Sequence, residues 1–191
     1  MTYLDGQDED RGAQARLCMA SREEFFGYYW PRLLRFLVSQ ASDSSLAEDV
    51  AAGAFEAALD NWDTLLTYQR PDSWLFKVAV RELRRLEGQA RSRGVLAEDP
   101  ASSATDLRVT AGADEWVADH LDLVAAMRFL PRRQAEVIAL KWLAGYTVKE
   151  TAQILGVSEG TVKKQLYRAV EKLRVLLDDP AVTDVARRNP S

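Results

Sequence analysis

Apolar residues recur at spacings of three and four along most of this 191-residue chain, which is the pattern of amphipathic α-helices. No segment shows the period-two alternation of a half-buried strand. The pattern therefore predicts an all-α protein. Pro31 is expected to kink or restart the first helix. The predicted helices run from Ser21 to Leu37, Leu46 to Leu59, Trp74 to Leu86 after a start at Pro71, Leu121 to Phe129, Arg132 to Leu143, Val148 to Leu155 and Glu159 to Leu177.

The segment from Thr147 to Arg174 is typical of a helix-turn-helix. Thr147 and Glu150 have the spacing of a capping box, and Gly156 can take the left-handed conformation that ends a helix. Ser158 is placed to cap the second helix. Its apolar stripe is predicted to contain Val162, Leu166, Ala169, Val170, Leu173 and Leu177, which leaves Thr161, Lys164, Tyr167 and Arg168 on the outer face.

An ordinary helical hairpin with a solvated basic face would show much of the same pattern. The small Ala152, the short Gly-Val-Ser turn and the basic outer face together favour DNA binding. A helix of this size fits the major groove, where its side chains can reach base edges and phosphates.

Composition predicts two small helical domains. Residues 94–120 are rich in glycine, serine, alanine and acid, which is typical of a flexible acidic linker. The linker would join a domain at 21–93 to a four-helix domain at 121–178. The second domain would contain the helix-turn-helix and would resemble a winged helix that lacks the wing. Residues 1–20 are predicted to be a disordered acidic tail, and 179–191 a second tail.

Charge is unevenly distributed, although the whole chain carries a formal net charge of −4. Between Asp122 and Leu177 there are ten basic residues and five acidic ones, so the predicted DNA-binding half is net basic. Cys18 and His120 are the sole cysteine and histidine, which excludes an intramolecular disulfide and a tetrahedral zinc site. We expect a cytoplasmic protein with no metal, no cofactor and no membrane insertion, because no signal peptide or long apolar run is present.

Both predicted domains resemble one family, the extracytoplasmic-function (group four) sigma factors of bacterial RNA polymerase. EEFFGYYWPRLLRFL and WLFKVAVRELRR are similar to sigma region two, which binds core polymerase and melts the promoter. The match in LPRRQAEVIALKWLAGYTVKETAQILGVSEGTVKKQLYRAVEKLR, similar to region four, is more specific. Its leucine-proline opening and both of its turns have the family's spacing.

The resemblance implies a non-enzymatic alternative sigma factor whose partners are core RNA polymerase and promoter DNA. It also suggests an anti-sigma factor as a partner. The resemblance places −35 contacts at Ser158, Thr161, Lys163, Lys164, Tyr167 and Arg168. It places −10 contacts at Trp74, Lys77, Arg81, Arg84 and Arg85. Core polymerase would be bound through Asp49, Ala52, Phe55 and Trp62. Trp62 and Trp74 could instead be ordinary core residues.

The sequence departs from the family pattern in the helix that grips polymerase. Where the family commonly has Gln-Glu between an acid and an aromatic, this chain has Ala52 and Gly53 between Asp49 and Phe55. Two alternatives follow from this departure: a plain helix-turn-helix regulator, or a sigma-like protein with weakened polymerase engagement. A third hypothesis is an adaptor that binds other proteins, and an enzyme is the hypothesis with least support, since no catalytic constellation is evident.

Overall fold

The computed structural model describes residues 21–94 and 121–177, with the side chains of residues 121 and 122 left out. Both ranges are helical, and no strand occurs within them. The prediction of an all-α protein is therefore confirmed. The predicted tails and almost all of the predicted linker lie outside the described residues.

Four helices form the first module: α1 (Arg22–Val38), α2 (Ser44–Asp60), the short α3 (Trp62–Leu65) and α4 (Pro71–Ser92). Side chains cap two of them, because Ser21 accepts the Glu24 amide and Asp43 accepts the Leu46 amide. Pro71 begins α4, where its missing N–H group costs nothing. The three long helices pack against one another around buried apolar side chains.

Two expectations for this module change: a restart of α1 at Pro31 is excluded, and the placement of Leu59 in the core was wrong. Helix α1 runs through Pro31 and does not restart there. Burial of Tyr29 before Pro31 and of Leu33 after it offsets the roughly 3 kcal/mol that an interior proline costs. Leu59, predicted on the apolar face of α2, is 41% exposed, and the buried face of α2 consists mainly of alanines such as Ala47, Ala54 and Ala58.

The second module contains α5 (Leu121–Arg128), α6 (Arg132–Ile138), α7 (Val148–Leu155) and α8 (Glu159–Leu177). The predicted bounds of α7 and α8 are confirmed. Beyond Ile138 the predicted helix becomes a π-helical segment, Ala139–Leu143, in which the Ala144 amide donates to the carbonyl of Ala139. Gly145, at a φ of 76°, follows this segment, and the buried Tyr146 donates its amide to Leu140.

The two modules share one hydrophobic core in the described residues. Helix α4 packs against α7, and α1 packs against the π-helical segment. An aromatic column crosses the junction, since the ring centroids of Phe36 and Phe76 are 5.5 Å apart and those of Phe76 and Tyr146 are 5.1 Å apart. This close packing of the modules was not predicted from the sequence.

Candidate nucleic-acid and polymerase interfaces

Local hydrogen bonds set the position of α8 through the helix before it. The Thr147 hydroxyl accepts the Glu150 amide at 3.2 Å, and the Glu150 carboxylate accepts the Thr147 amide at 2.8 Å, which completes the predicted capping box. Gly156 ends α7 at a φ of +67°, a conformation that L side chains rarely adopt. These two features define the angle at which the chain enters the turn.

Ser158 caps the start of α8, as predicted. Its hydroxyl accepts the Thr161 amide at 3.1 Å and lies 2.9 Å from the Thr161 hydroxyl. Val162, Ala169 and Leu173 anchor the opposite face of the helix in the core. Leu177, predicted on the same stripe, is 38% exposed, whereas the neighbouring Leu176 packs partly against the core.

The outward face of α8 carries the basic surface that the sequence predicted. Thr161, Lys164 and Arg168 form one row at helical spacing, and Lys163 and Tyr167 form the next row. All five side chains are exposed, Tyr167 to 70%. Within the described ranges no carboxylate pairs with Lys163, Lys164 or Arg168. This surface can therefore offer cationic and hydroxyl donors to phosphates and base edges.

Helix α4 carries a second basic row. Lys77, Arg81 and Arg85 are exposed and follow one another at intervals of four residues. Arg85 also pairs with Glu82 on the same helix, at 2.9 Å and 2.5 Å. Such an exposed pair is weak and can be exchanged for a phosphate at little cost.

Two residues predicted to contact the −10 element are placed differently. Trp74 is half-buried against the core. Arg84 points to the second module, where its Nε and Nη2 atoms donate to the two carboxylate oxygens of Glu136 at 2.8 Å and 2.6 Å. The Arg84 guanidinium is therefore not part of the solvent-exposed basic row on α4.

The residues predicted to bind polymerase divide into two groups. Asp49 and Ala52 are exposed on α2, together with Gly53. Phe55 and Trp62 are buried, and both rings contact Phe25, at centroid distances of 5.8 Å and 5.4 Å. The structure thus places Phe55 and Trp62 as core residues that support the exposed face of α2.

Phe26 and Trp30 add an aromatic surface that sequence reasoning missed. Their rings stack at a centroid distance of 4.8 Å, and both lie against Phe55. Phe26 is 43% exposed. A signal was present in the sequence, because adjacent side chains of a helix point in different directions, so Phe26 does not follow Phe25 into the core.

Comparison with known proteins finds relatives in one family. The family model described as Sigma-70, region 4 matches residues 120–173. The ECF RNA polymerase sigma factor BldN of Streptomyces coelicolor is 30% identical over 172 residues, which are 82% of this chain and 60% of BldN. The ECF RNA polymerase sigma factor EcfG of Rhodopseudomonas palustris is 30% identical over 147 residues, covering 77% of this chain and 80% of EcfG.

A solved structure supports the fold. The sigma factor RpoE from Bartonella quintana, in complex with the anti-sigma factor NepR, matches with a TM-score of 0.67 at 24% sequence identity. The match covers 83% of this chain and 97% of the RpoE chain. Among the described residues, none of the helices has both the length and the hydropathy that crossing a bilayer requires.

These similarities define the class of protein as a bacterial regulator of transcription initiation. The chain belongs to the extracytoplasmic-function sigma factors of RNA polymerase. It is an alternative sigma factor, and members of this family are regulatory proteins.

Proposed function

We propose that this sigma factor reads the −35 element through α8. The observation that carries the proposal is a capped helix whose exposed face presents Lys163, Lys164 and Arg168 without a described carboxylate partner, although the whole chain is acidic. Phosphate contacts from these cations would position the helix, and Ser158, Thr161 and Tyr167 are placed to reach base edges.

Helix α4 would bind the −10 element. Lys77, Arg81 and Arg85 support this because they form an exposed cationic row that can follow the DNA backbone. Half-buried Trp74 would stack with an unpaired base only through its exposed edge. Arg84 would join this row only after it leaves Glu136.

Core polymerase would contact the exposed face of α2 and the neighbouring part of α1. Asp49 and Ala52 supply the α2 side of this surface, and Phe26 supplies an aromatic side chain beside it. Buried Phe55 would hold Phe26 in place, since their ring centroids are 4.8 Å apart. An exposed aromatic at the centre of a patch is the type of residue that often dominates an interface.

The remaining parts of the proposal concern organisation and location. Residues 21–93 would act as sigma region two and 121–178 as region four, joined by 94–120. The protein would work in the cytoplasm and catalyse no reaction itself. Because the similar RpoE is in complex with an anti-sigma factor, an anti-sigma partner is also proposed for this chain.

A second candidate function is a sigma-like DNA-binding protein that engages polymerase weakly. The observation that favours it is the exposure of Ala52 and Gly53 on α2, where neither residue offers a polar side chain to a partner. This candidate predicts promoter DNA binding without initiated transcripts.

Transcription from a randomised promoter pool, with core polymerase purified from the native host, tests both candidates. The wild-type protein should enrich one promoter class, and Arg168→Ala should reduce its transcripts about tenfold. Arg93→Ala is the matched control, since it removes the same charge from the end of α4, away from the proposed contacts. DNA binding without any enriched transcript would favour the second candidate, and no DNA binding at all would exclude both.

A further inference from the structure

A cavity of about 280 Å³ lies where the two modules meet. From the first module, Tyr28 and Arg32 of α1 line it together with Arg70, which precedes α4. Residues 142–146, from the end of the π-helical segment and the turn after it, line it from the second module. Small-molecule sites commonly lie at boundaries of this kind, so the charge and shape of the cavity indicate what it could bind.

Arg32 brings an unneutralised cation to the cavity. Its Nη1 atom donates to the backbone carbonyl of Tyr28 at 2.9 Å, and its Cζ atom lies 3.7 Å from the centroid of the Tyr28 ring. In the described ranges no carboxylate forms an ion pair with this guanidinium. A guanidinium has five N–H donors, so the half-buried Arg32 keeps donors for a ligand.

Arg70, on another wall of the cavity, is neutralised by the protein itself. Its Nε and Nη2 atoms donate to the two carboxylate oxygens of Asp72 at 3.1 Å and 2.9 Å, and its Nη1 atom pairs with Glu150. Among the described residues that line the cavity, Asp72 supplies the sole carboxylate. The lining therefore carries one positive charge in excess, and that charge belongs to Arg32.

A second arginine of α1 increases the positive potential beside the cavity. Burial and, to a smaller extent, the charge of Arg32 lower the pKa of Arg35, three residues further along the helix. An anion bound at Arg32 would offset the repulsion between these two guanidinium groups. The surroundings of Arg32 therefore favour a negatively charged ligand over a neutral one.

Aromatic rings surround this charge. Phe76 and Tyr146 form a buried part of the lining, with ring centroids 5.1 Å apart. Trp142 also lines the cavity, and 50% of its side chain is exposed. The Tyr28 ring lies against the Arg32 guanidinium. Aromatic side chains offer a planar ligand a large contact area, so a flat ring fits this lining better than an aliphatic chain does.

An irregular helix places Trp142 at the cavity. In the segment Ala139–Leu143 the Ala144 amide donates to the carbonyl of Ala139 at 2.9 Å, a π-helical hydrogen bond, and Gly145 follows at a φ of 76°. Such π-helical turns are rare and occur frequently at functional sites. This backbone feature is independent of the charge on Arg32 and also indicates a site.

We propose that this cavity binds a small aromatic monocarboxylate, whose carboxylate pairs with Arg32 and whose ring lies between Tyr28 and Trp142. One excess positive charge matches a carboxylate better than a phosphate dianion, and a guanidinium can hold both carboxylate oxygens. The volume is at the lower end of the roughly 300–1,000 Å³ that small-molecule pockets span, which limits the ligand to one or two rings. No lining residue belongs to the proposed DNA or polymerase contacts, so the site goes beyond the sigma function.

An NMR titration of the isotope-labelled full chain tests the site, with cinnamate as the probe. Cinnamate should bind saturably with a dissociation constant of about 0.1–1 mM, which a ligand of about 11 non-hydrogen atoms can reach. The indole N–H signal of Trp142, identified by its absence in Trp142→Ala, should shift during the titration. Cinnamamide has the ring without the charge, and acetate has the charge without the ring. Each should bind at least about tenfold more weakly than cinnamate.

Two variants, one in each module, test the residues that hold the ligand. Arg32→Gln should weaken cinnamate binding about tenfold, because the carboxylate loses its cation. Trp142→Ala, at a half-exposed position, should weaken it about fivefold, because the ligand loses one ring contact. The matched controls are Arg22→Gln and Tyr68→Ala, which change an exposed arginine and an exposed tyrosine outside the cavity. Both should bind cinnamate as the wild type does, and circular dichroism would establish that each variant is folded.

Three results would overturn the proposal. The first is no saturable binding of cinnamate up to about 10 mM. The second is wild-type affinity in both Arg32→Gln and Trp142→Ala, which would place the ligand elsewhere on the protein. The third is tighter binding of phenyl phosphate than of cinnamate, which would assign the cavity to a different class of anion. These measurements need neither DNA nor polymerase, so each result leaves the proposed sigma function unchanged.

Discussion

Two glycines in this protein occupy helical positions with opposite requirements. Gly53 lies in the middle of α2, exposed, and a Cβ atom added there would meet nothing within 4 Å. Gly156 has equally open surroundings, but its φ of +67° is strained for any residue with a Cβ atom. Backbone conformation, and not the space available for a Cβ atom, therefore distinguishes the two sites.

Alanine should stabilise the protein at one of these glycines and destabilise it at the other. We expect Gly53→Ala to raise the free energy of unfolding by about 0.5–1 kcal/mol, because alanine loses less backbone entropy in a helix. Gly156→Ala should lower it by about 1–2 kcal/mol through left-handed strain. Urea unfolding at constant pH measures both. If both substitutions changed the free energy of unfolding in the same direction, this assignment of the two backbone conformations would be wrong.

Residue-level prediction from the sequence succeeded where one local rule decides the outcome. Thr147, Gly156 and Ser158 were identified correctly because capping depends on neighbours within a few positions. Exposure was harder to predict, since apolar spacing does not reveal how wide the buried face is. Leu59 was therefore assigned wrongly to the core, and the exposure of Phe26 was missed.

At the scale of elements, the pair of α7 and α8 depends on its caps more than on its length. Helix α7 has only eight residues, and isolated helices this short are marginal in water. Its two capping-box bonds and its contacts with α4 and α8 compensate for that. The sequence predicted the bounds of both helices, but it did not predict the π-helical segment, because five residues are too few for apolar spacing to distinguish a π-helix from an α-helix.

Loss of the capping box should weaken the second module. Thr147→Ala removes the acceptor for the Glu150 amide and is expected to lower the free energy of unfolding by about 1 kcal/mol. Thermal unfolding followed by circular dichroism would measure the change. Gln153→Ala, at an exposed position of the same helix, should alter stability by less than about 0.5 kcal/mol. Equal losses in the two variants would show that the cap is not responsible.

The basic surface of α8 indicates how DNA binding should depend on salt concentration. Lys164→Ala should weaken binding to a −35 duplex and reduce the slope of log affinity against log salt by about one, because one phosphate contact is lost. The same loss should occur on unrelated duplexes, since a lysine on a phosphate does not read sequence. Fluorescence anisotropy at several salt concentrations measures the slope. A loss confined to one DNA sequence would instead assign Lys164 to a base edge.

For the whole molecule, the relation between the two modules could not be predicted from helical periodicity. Periodicity shows which face of a helix is buried, but not which distant helix covers it. Arg84 and Glu136 are 52 residues apart, and Arg132 and Glu87 are 45 apart, with residues 95–120 between the members of each pair. The composition of 94–120 therefore predicts two separate domains, and the family resemblance assigns Arg84 to the −10 element and not to a junction.

The junction also predicts how stability depends on pH. Tyr146 is buried, and burial together with the nearby Asp72 carboxylate raises the pKa of its phenol well above the ordinary value. An unfolded chain would titrate this phenol near pH 10. The folded state thus binds the proton more tightly than the unfolded chain does. The stability that this proton contributes is fully present below pH 10 and is lost as the pH rises further.

We therefore expect the free energy of unfolding to fall by up to about 1.4 kcal/mol per pH unit above pH 10 from this one group. Tyr146→Phe removes the titrating hydroxyl group and keeps the ring against Phe76. The free energy of unfolding of this variant should therefore decline less steeply over the same pH range. Urea unfolding between pH 8 and 11 measures both slopes, and their difference isolates Tyr146 from the other groups that titrate there. Tyr68→Phe, at an exposed tyrosine, should keep the wild-type slope. Identical slopes for the wild type and Tyr146→Phe would mean that the phenol reaches water in the folded protein, and that the junction is open before it unfolds.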